Sequence, residues 1–413
     1  MNAVNETKTA ISNRVESSFD LFNLPDAYYE DPTPFFRDLR DNDPMHWNSD
    51  GSLLLTRYED IKTVWRDLSG LVSREEAYTK KFGQGPLLEH HTTSMLFRDP
   101  PDHDRLRDIV NPFFTQSSIE RLRTTVQDIV AGLLDEMASK DEVEFVAEFA
   151  SRIPIQLICN IFGVPQEDGP LIRDLGAQVL VPLNPAVSQE AIAAGHEATR
   201  KFKEYLLVHI NTWRALPAED VPTNIISALV AAERRGDAIS ENEMVHICIL
   251  VLNGGHETTT NLLGLSTLAL LRNPDQFALL AGDPAIVGPG VEECLRFVTP
   301  LQLQGRRTTR EVVIPSGVIP PNTEVIIAQA SANRDDRIFI DPDKLDLARR
   351  PNPHLAFGAG IHVCLGRPLA RLEAGVALPE LARRFPKMTL AGQPVFNRNT
   401  RFRSLQSMRV KLY

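Results

Sequence analysis

The chain has 413 residues, 24% of them charged, and a net charge of -10. That charge disfavours non-specific nucleic-acid binding. The longest central apolar run, ICILVL at 247–252, is far short of the roughly 20 residues a membrane helix needs. Cys159, Cys248, Cys294 and Cys364 form neither a CxxC pair nor a zinc spacing, so no disulfide framework or zinc ribbon is expected.

Residues 1–18 are polar and lack the apolar core of a signal peptide, so they read as a disordered N-terminal segment of a cytoplasmic protein. No Gly/Ser-rich or charge-block linker divides the rest, and 19–413 reads as one domain. A short strand at 53–56 follows the turn Asn48-Ser49-Asp50-Gly51 and pairs with 45–47. Helix dominates from 100 to 300, with apolar positions at helical spacing over 119–137. A helix over 225–232 ends in the turn Arg235-Gly236-Asp237. Ser240 is an N-cap candidate with Glu243 at capping-box spacing. The helix it opens runs to about Leu271, before Asn273-Pro274, and is apolar nearly all round, hence central and buried. Strands at 311–314 and 324–328 flank a Pro/Gly-rich turn, and 331–356 is a long irregular meander. The fold class is mainly α with a smaller β part.

Three of the cysteines sit in apolar helical stretches, where a thiol is usually a small core residue. Cys364 instead lies in Phe357-Gly358-Ala359-Gly360-Ile361-His362-Val363-Cys364-Leu365-Gly366, just before a helix beginning RPLARLE. Small residues there let backbone approach a flat group. The helix N-terminus favours thiolate, lowering the thiol pKa. Read alone, Cys364 is as well explained as a buried cysteine beside a tight turn. The pattern FxxGxxxCxG fixes four positions over ten residues and resembles the heme-binding loop of the cytochrome P450 family. The resemblance runs from about Phe19 to Tyr413. It implies heme b (iron protoporphyrin IX) held between the long central helix and the cysteine loop. Cys364 would be the iron ligand, Phe357 would pack beside its sulfur, and Gly366 would complete the loop. O2 would be the co-substrate.

Further motifs follow in family order. Glu293-Cys294-Leu295-Arg296 is an ExxR, whose charges share a helix face. Most such pairs are exposed and contribute little, but the resemblance implies a buried pair behind the heme. The family adds a cation from the meander, where this chain offers Lys344, which lacks a planar fork. Gly254-Gly255-His256-Glu257-Thr258-Thr259 interrupts the long helix with two glycines, and Thr258 can bond back to a preceding carbonyl. A local bulge is expected there. The resemblance makes it the oxygen-binding groove, with Gly254 against the heme and Glu257 and Thr258 serving proton delivery and hydrogen bonding of dioxygen. His256-Glu257 also begins HExxH, but residue 260 is Thr, which excludes that zinc site. His103, Arg107, Arg306 and His362 match the family's propionate anchors, and adjacent Arg307 takes the place of Arg306 if the register slips by one.

By the same resemblance the substrate pocket draws on Leu87, Leu88, Leu250, Asn253, Leu301, Gln302, Gln304 and Phe402. Other walls are expected from the loop 82–88 and the stretch 179–187. Such walls suit a small, largely apolar molecule, aromatic or oxygenated. No GxGxxG follows a strand, so electrons must come from a separate ferredoxin or flavodoxin with its reductase. Arg107, Arg367 and Arg371 are the expected docking cations. No membrane or nucleic-acid partner is expected, and the protein reads as a monomer. A peroxygenase and a heme carrier or gas sensor are the competing readings. Glu257-Thr258 disfavours the first, and the absence of a fused signalling segment disfavours the second.

Overall fold

A computed structural model describes residues 19–67, 70–72, 74–217, 224–237 and 239–413. The expected N-terminal segment 1–18 lies outside them. Seven short strands matter to the site. They are β1 (Met45–Trp47), β2 (Leu53–Leu55), β3 (Gly70–Leu71), β4 (Leu303–Thr308), β5 (Val312–Ile314), β6 (Gly317–Ile319) and β7 (Glu324–Ala328). β1 and β2 pair antiparallel as expected, Met45 opposite Leu55, across a turn closed by Gly51 at φ 84°. The sheet order is β1-β2-β7-β4-β3, with β2 parallel to β7. The two strands expected around the Pro/Gly turn take different partners. β5 folds back on β6, while β7 pairs antiparallel with β4, Arg306 opposite Val325. β4 escaped the sequence reading because its core, Gln304-Gly305-Arg306-Arg307, is polar.

Nine helices position the site. In chain order they are α1 (Glu75–Phe82), α2 (Pro86–Thr93), α3 (Asp102–Val110), α4 (Arg123–Ala138), α5 (Gly169–Leu180), α6 (Gln189–Ala215), α7 (Glu241–Leu271), α8 (Pro284–Val298) and α9 (Arg367–Arg384). The helix expected over 119–137 is broken. Gln116–Glu120 forms one piece, and Leu122 bonds back to Ile119 before α4 begins. α7 spans 31 residues, about 46 Å at 1.5 Å per residue. Ser240 and Glu243 form the capping box that opens it, each side chain taking the other's backbone N–H. Most of α7 is buried, because α5, α6, α8 and α9 all pack on it. Residues 333–366 carry neither helix nor strand, so their buried backbone needs partners from side chains. Among the described residues no helix is long and apolar enough to cross a membrane.

Candidate heme site

The cysteine loop is shaped by glycines. Gly358 and Gly360 have φ of 69° and 74°, a region costly for other residues. A Cβ on Gly360 would sit 2.4 Å from the carbonyl oxygen of Trp65. Cys364 donates its backbone N–H to Phe357 O at 2.9 Å, closing the loop just before α9. The expectation of a lowered thiol pKa is overturned. Burial pushes the Cys364 thiol up, against the opposing pull of the Gly366 N–H, Arg107, Arg367 and Arg371. A helix terminus alone does not ionise this sulfur; a bound metal cation would.

At Gly254, α7 has a break in its buried surface. Gly254 is exposed although Leu252 and Asn253 beside it are buried, and a Cβ there would meet nothing within 4 Å. Gly255 does a different job, since its Cβ would lie 2.8 Å from Ile158. Thr258 Oγ1 donates to Gly254 O at 2.8 Å, the back-bond expected. The expected bulge does not form, and α7 remains a regular α-helix. Asn261 donates to Glu257 Oε1 at 3.1 Å, and burial raises the Glu257 carboxyl pKa.

At the rim, His103 Nδ1 is held by Asp104 Oδ1 at 2.7 Å, and His362 Nε2 lies 4.0 Å from Asp99 Oδ1. His103 is 2% exposed and its ring packs 4.3 Å from that of His362. His362 Nε2 is buried with no hydrogen-bond partner among the described residues. Arg306 is buried and, among the described residues, donates only to Gly305 O at 2.8 Å; burial lowers its pKa to about 10. Arg307 points the other way, to Glu76 and Glu324, which resolves the register in favour of Arg306 as the inward residue. Arg107 donates to Ile361 O and Val363 O at 3.0 and 2.7 Å and so braces the cysteine loop. A gap beside Gly254, a thiol loop and buried cationic or imidazole donors suit a flat group with two carboxylates.

Glu293 and Arg296 form a bidentate pair with both oxygens at 2.8 Å, each residue 0% exposed. The third cation is not Lys344, which is exposed and contributes only its carbonyl to Arg296. It is Arg349, whose Nε lies 3.2 and 3.1 Å from the two Glu293 oxygens. Asp346 N–H and Asn352 Nδ2 complete the shell. The only sequence signal for Arg349 was its place in the meander just upstream of the cysteine loop. Arg371 is not a free docking cation, since it pairs with Glu292 at 2.6 and 2.8 Å and stacks over the Phe357 ring.

The expected pocket residues are only partly brought together. Leu301 and Phe402 form a β-bridge, and Gln302 N–H donates to Arg401 O at 2.8 Å. Asn253 is 5% exposed and neither end of its amide has a partner. Gln304 is committed to Gln329 at 2.8 Å. Leu87 is fully buried and its contact is with α6, where a Cβ on Gly195 would lie 3.1 Å from it. Leu88 is buried, and Leu250 is half-buried.

The family model described as Cytochrome P450 matches residues 44–280 and 290–406. The chain is 40% identical over 348 residues to nocardicin C N-oxygenase of Nocardia uniformis subsp. tsuyamanensis, covering 83% of this chain and 84% of that one. It is 36% identical over 404 residues to vitamin D(3) 25-hydroxylase of Pseudonocardia autotrophica, covering 95% and 96%. The crystal structure of P450BioI in complex with hexadec-9Z-enoic acid ligated acyl carrier protein superposes with a TM-score of 0.88 at 32% identity, covering 94% of this chain and 100% of that one. The chain belongs to the cytochrome P450 family and is a monooxygenase whose cofactor is heme b and whose co-substrate is O2.

Proposed function

We propose that the chain inserts one atom of O2 into a small, largely apolar, aromatic or oxygenated organic molecule. Electrons come from a separate ferredoxin or flavodoxin with its reductase. Residues 19–413 act as one catalytic domain, and the enzyme works as a cytoplasmic monomer. The observation that carries this reading is exposed Gly254, one turn from half-buried Thr258, in the middle of a mostly buried helix, with Cys364 in a glycine-shaped loop. Heme bound through Cys364 supplies the oxygen-activating redox chemistry.

The chain's own residues do the rest. His103, Arg306 and His362 offer buried donors to the heme carboxylates, while Arg107 holds the loop carbonyls. Burial keeps a proton on the Glu257 carboxyl to higher pH, and Asn261 fixes its orientation. That suits an acid supplying protons beside the Thr258 hydroxyl. Thr258 rests bonded to Gly254 O, so it must release that bond to donate elsewhere. The unpaired Asn253 amide favours a substrate carrying an oxygen function, since an unmet buried amide is costly. The named relatives oxidise molecules as unlike as nocardicin C and vitamin D3, so family membership alone does not select the substrate.

Arg367 is exposed and makes no ion pair among the described residues, which makes it the cleanest docking cation near the thiolate. Product formation with NADH and surrogate redox partners tests the reading. Turnover with those partners supports it. Turnover only with hydrogen peroxide favours the peroxygenase, and a carbonyl complex without any product favours the carrier.

A further inference from the structure

Three remote segments meet around Asn184. Lys81, near the end of α1, donates Nζ to Asn184 O. Asn184 Oδ1 accepts the N–H groups of Thr400 and Arg401, both at 3.1 Å. Arg401 O accepts from Gln302 N–H at 2.8 Å. One asparagine thus joins α1, the end of α5's connection to α6, and the C-terminal turn, beside segments expected to wall the substrate pocket.

These segments bring cations without matching anions. The Arg401 guanidinium makes no hydrogen bond or ion pair among the described residues, and its Nε is buried without a partner. Among the described residues, the one hydrogen bond of Lys81 Nζ goes to a carbonyl. Arg74 is already paired with Glu324 at 2.7 Å and lies over the Tyr78 ring. Asp50 acts on Lys81 through charge without a hydrogen bond to it among the described residues. Around the two free cations the surface is aromatic. Lys81 lies 5.8 Å from the Phe82 ring, Arg401 lies 6.0 Å from that of Phe402, and Tyr78 stacks on Phe82.

Cations withdrawn from water without a counterion are costly. Burial lowers Lys81 to about 7 and Arg401 to about 10, with Arg401 and Arg74 further depressing Lys81. The two heme carboxylates already have claimants in Arg306, His103 and His362. Lys81 and Arg401 have none.

We propose that the substrate is an organic carboxylate whose anionic group docks between Lys81 and Arg401, leaving its apolar remainder to extend toward Gly254. This rests on the monooxygenase reading above and narrows its substrate class. Carboxylate to Lys and Arg contacts are charge-assisted and are lost by a neutral isostere.

The test uses heme-loaded protein and imidazolyl alkanoic acids of increasing chain length, each beside its carboxamide. The imidazole ligates iron and reports binding as a red shift of the heme band, whatever the natural substrate is. At one or more chain lengths the acid should bind about tenfold or more tighter than its amide. Arg401→Gln and Lys81→Gln should each erode that preference and leave amide affinity unchanged, and Arg401→Lys should restore part of it. Equal affinity of acid and amide at every length overturns the proposal. So does a heme-loaded Arg401→Gln protein whose acid preference matches that of wild type. Absence of any red shift while product still forms with surrogate redox partners overturns the anion site alone, and absence of product as well sinks the monooxygenase reading.

Discussion

Replacing Arg349 by leucine removes one of the two guanidinium groups on a carboxylate that water cannot reach. Glu293 is 0% exposed and accepts from Arg296, Arg349, Asp346 N–H and Asn352. Arg349 also donates to Ile340 O, Asp341 O and Lys344 O, so it closes the irregular segment on itself. Leucine would leave those carbonyls and part of the Glu293 charge unmet. Breaking a buried pair costs about 3–5 kcal/mol. With an unfolding entropy of about 2.1 cal/mol/K per residue over 413 residues, that is a fall in Tm of roughly 3–6 °C. Lys344→Met should stay within about 0.5 kcal/mol, because Lys344 is exposed and gives only its backbone carbonyl. Scanning calorimetry of heme-loaded proteins at one scan rate measures both. An Arg349→Leu protein melting within a degree of wild type would refute the reasoning, as would a Lys344→Met protein that is equally damaged.

Cys364→Ala should abolish the red-shifted carbonyl spectrum of thiolate ligation while the fold persists by circular dichroism. Glu257→Gln should lower the product-forming rate on the order of a hundredfold without changing substrate-induced spectral shifts, and a rate unchanged across pH would dismiss the proton role. Arg367→Glu should slow first-electron transfer in a salt-dependent way, read by stopped-flow reduction. Arg371→Glu is the poorer probe, because it also breaks the Glu292 pair. Burial alone would raise the Glu292 carboxyl, but Arg371 and His354 bring it down to about 2, from an ordinary 4.5. Its folded pKa is therefore depressed, so its stabilisation is present above about 4.5 and lost as pH falls toward 2. Glu292→Gln should flatten that part of the acid-unfolding curve.

What the sequence made legible was local. The limits of α7 followed from a capping box, apolar residues all round and a closing Asn-Pro, all within a few residues of the feature they set. The cysteine loop was equally readable, because its glycines answer to φ angles and to one close approach by Trp65 O. The misses share a different cause. β4 looked polar because its pairing with β7 is fixed by the sheet and not by alternation along the strand. Arg349 was passed over because its partner Glu293 lies on α8, far away in the chain, and only the folded meander brings them together. Arg107 read as an anchor by motif, and its grip on two carbonyls of the cysteine loop was not legible, because that loop lies far away in the chain.

The thiol of Cys364 shows the same limit in energetic terms. The helix terminus and three arginines were visible in the sequence, and they do pull its pKa down. Burial, which no local pattern reports, outweighs them. The Lys81–Asn184–Arg401 meeting extends the point from energy to recognition, because none of its three segments carries a motif. A pocket's charge therefore emerges only when remote segments close on one another, and that is where one member of a widely shared fold acquires a substrate of its own.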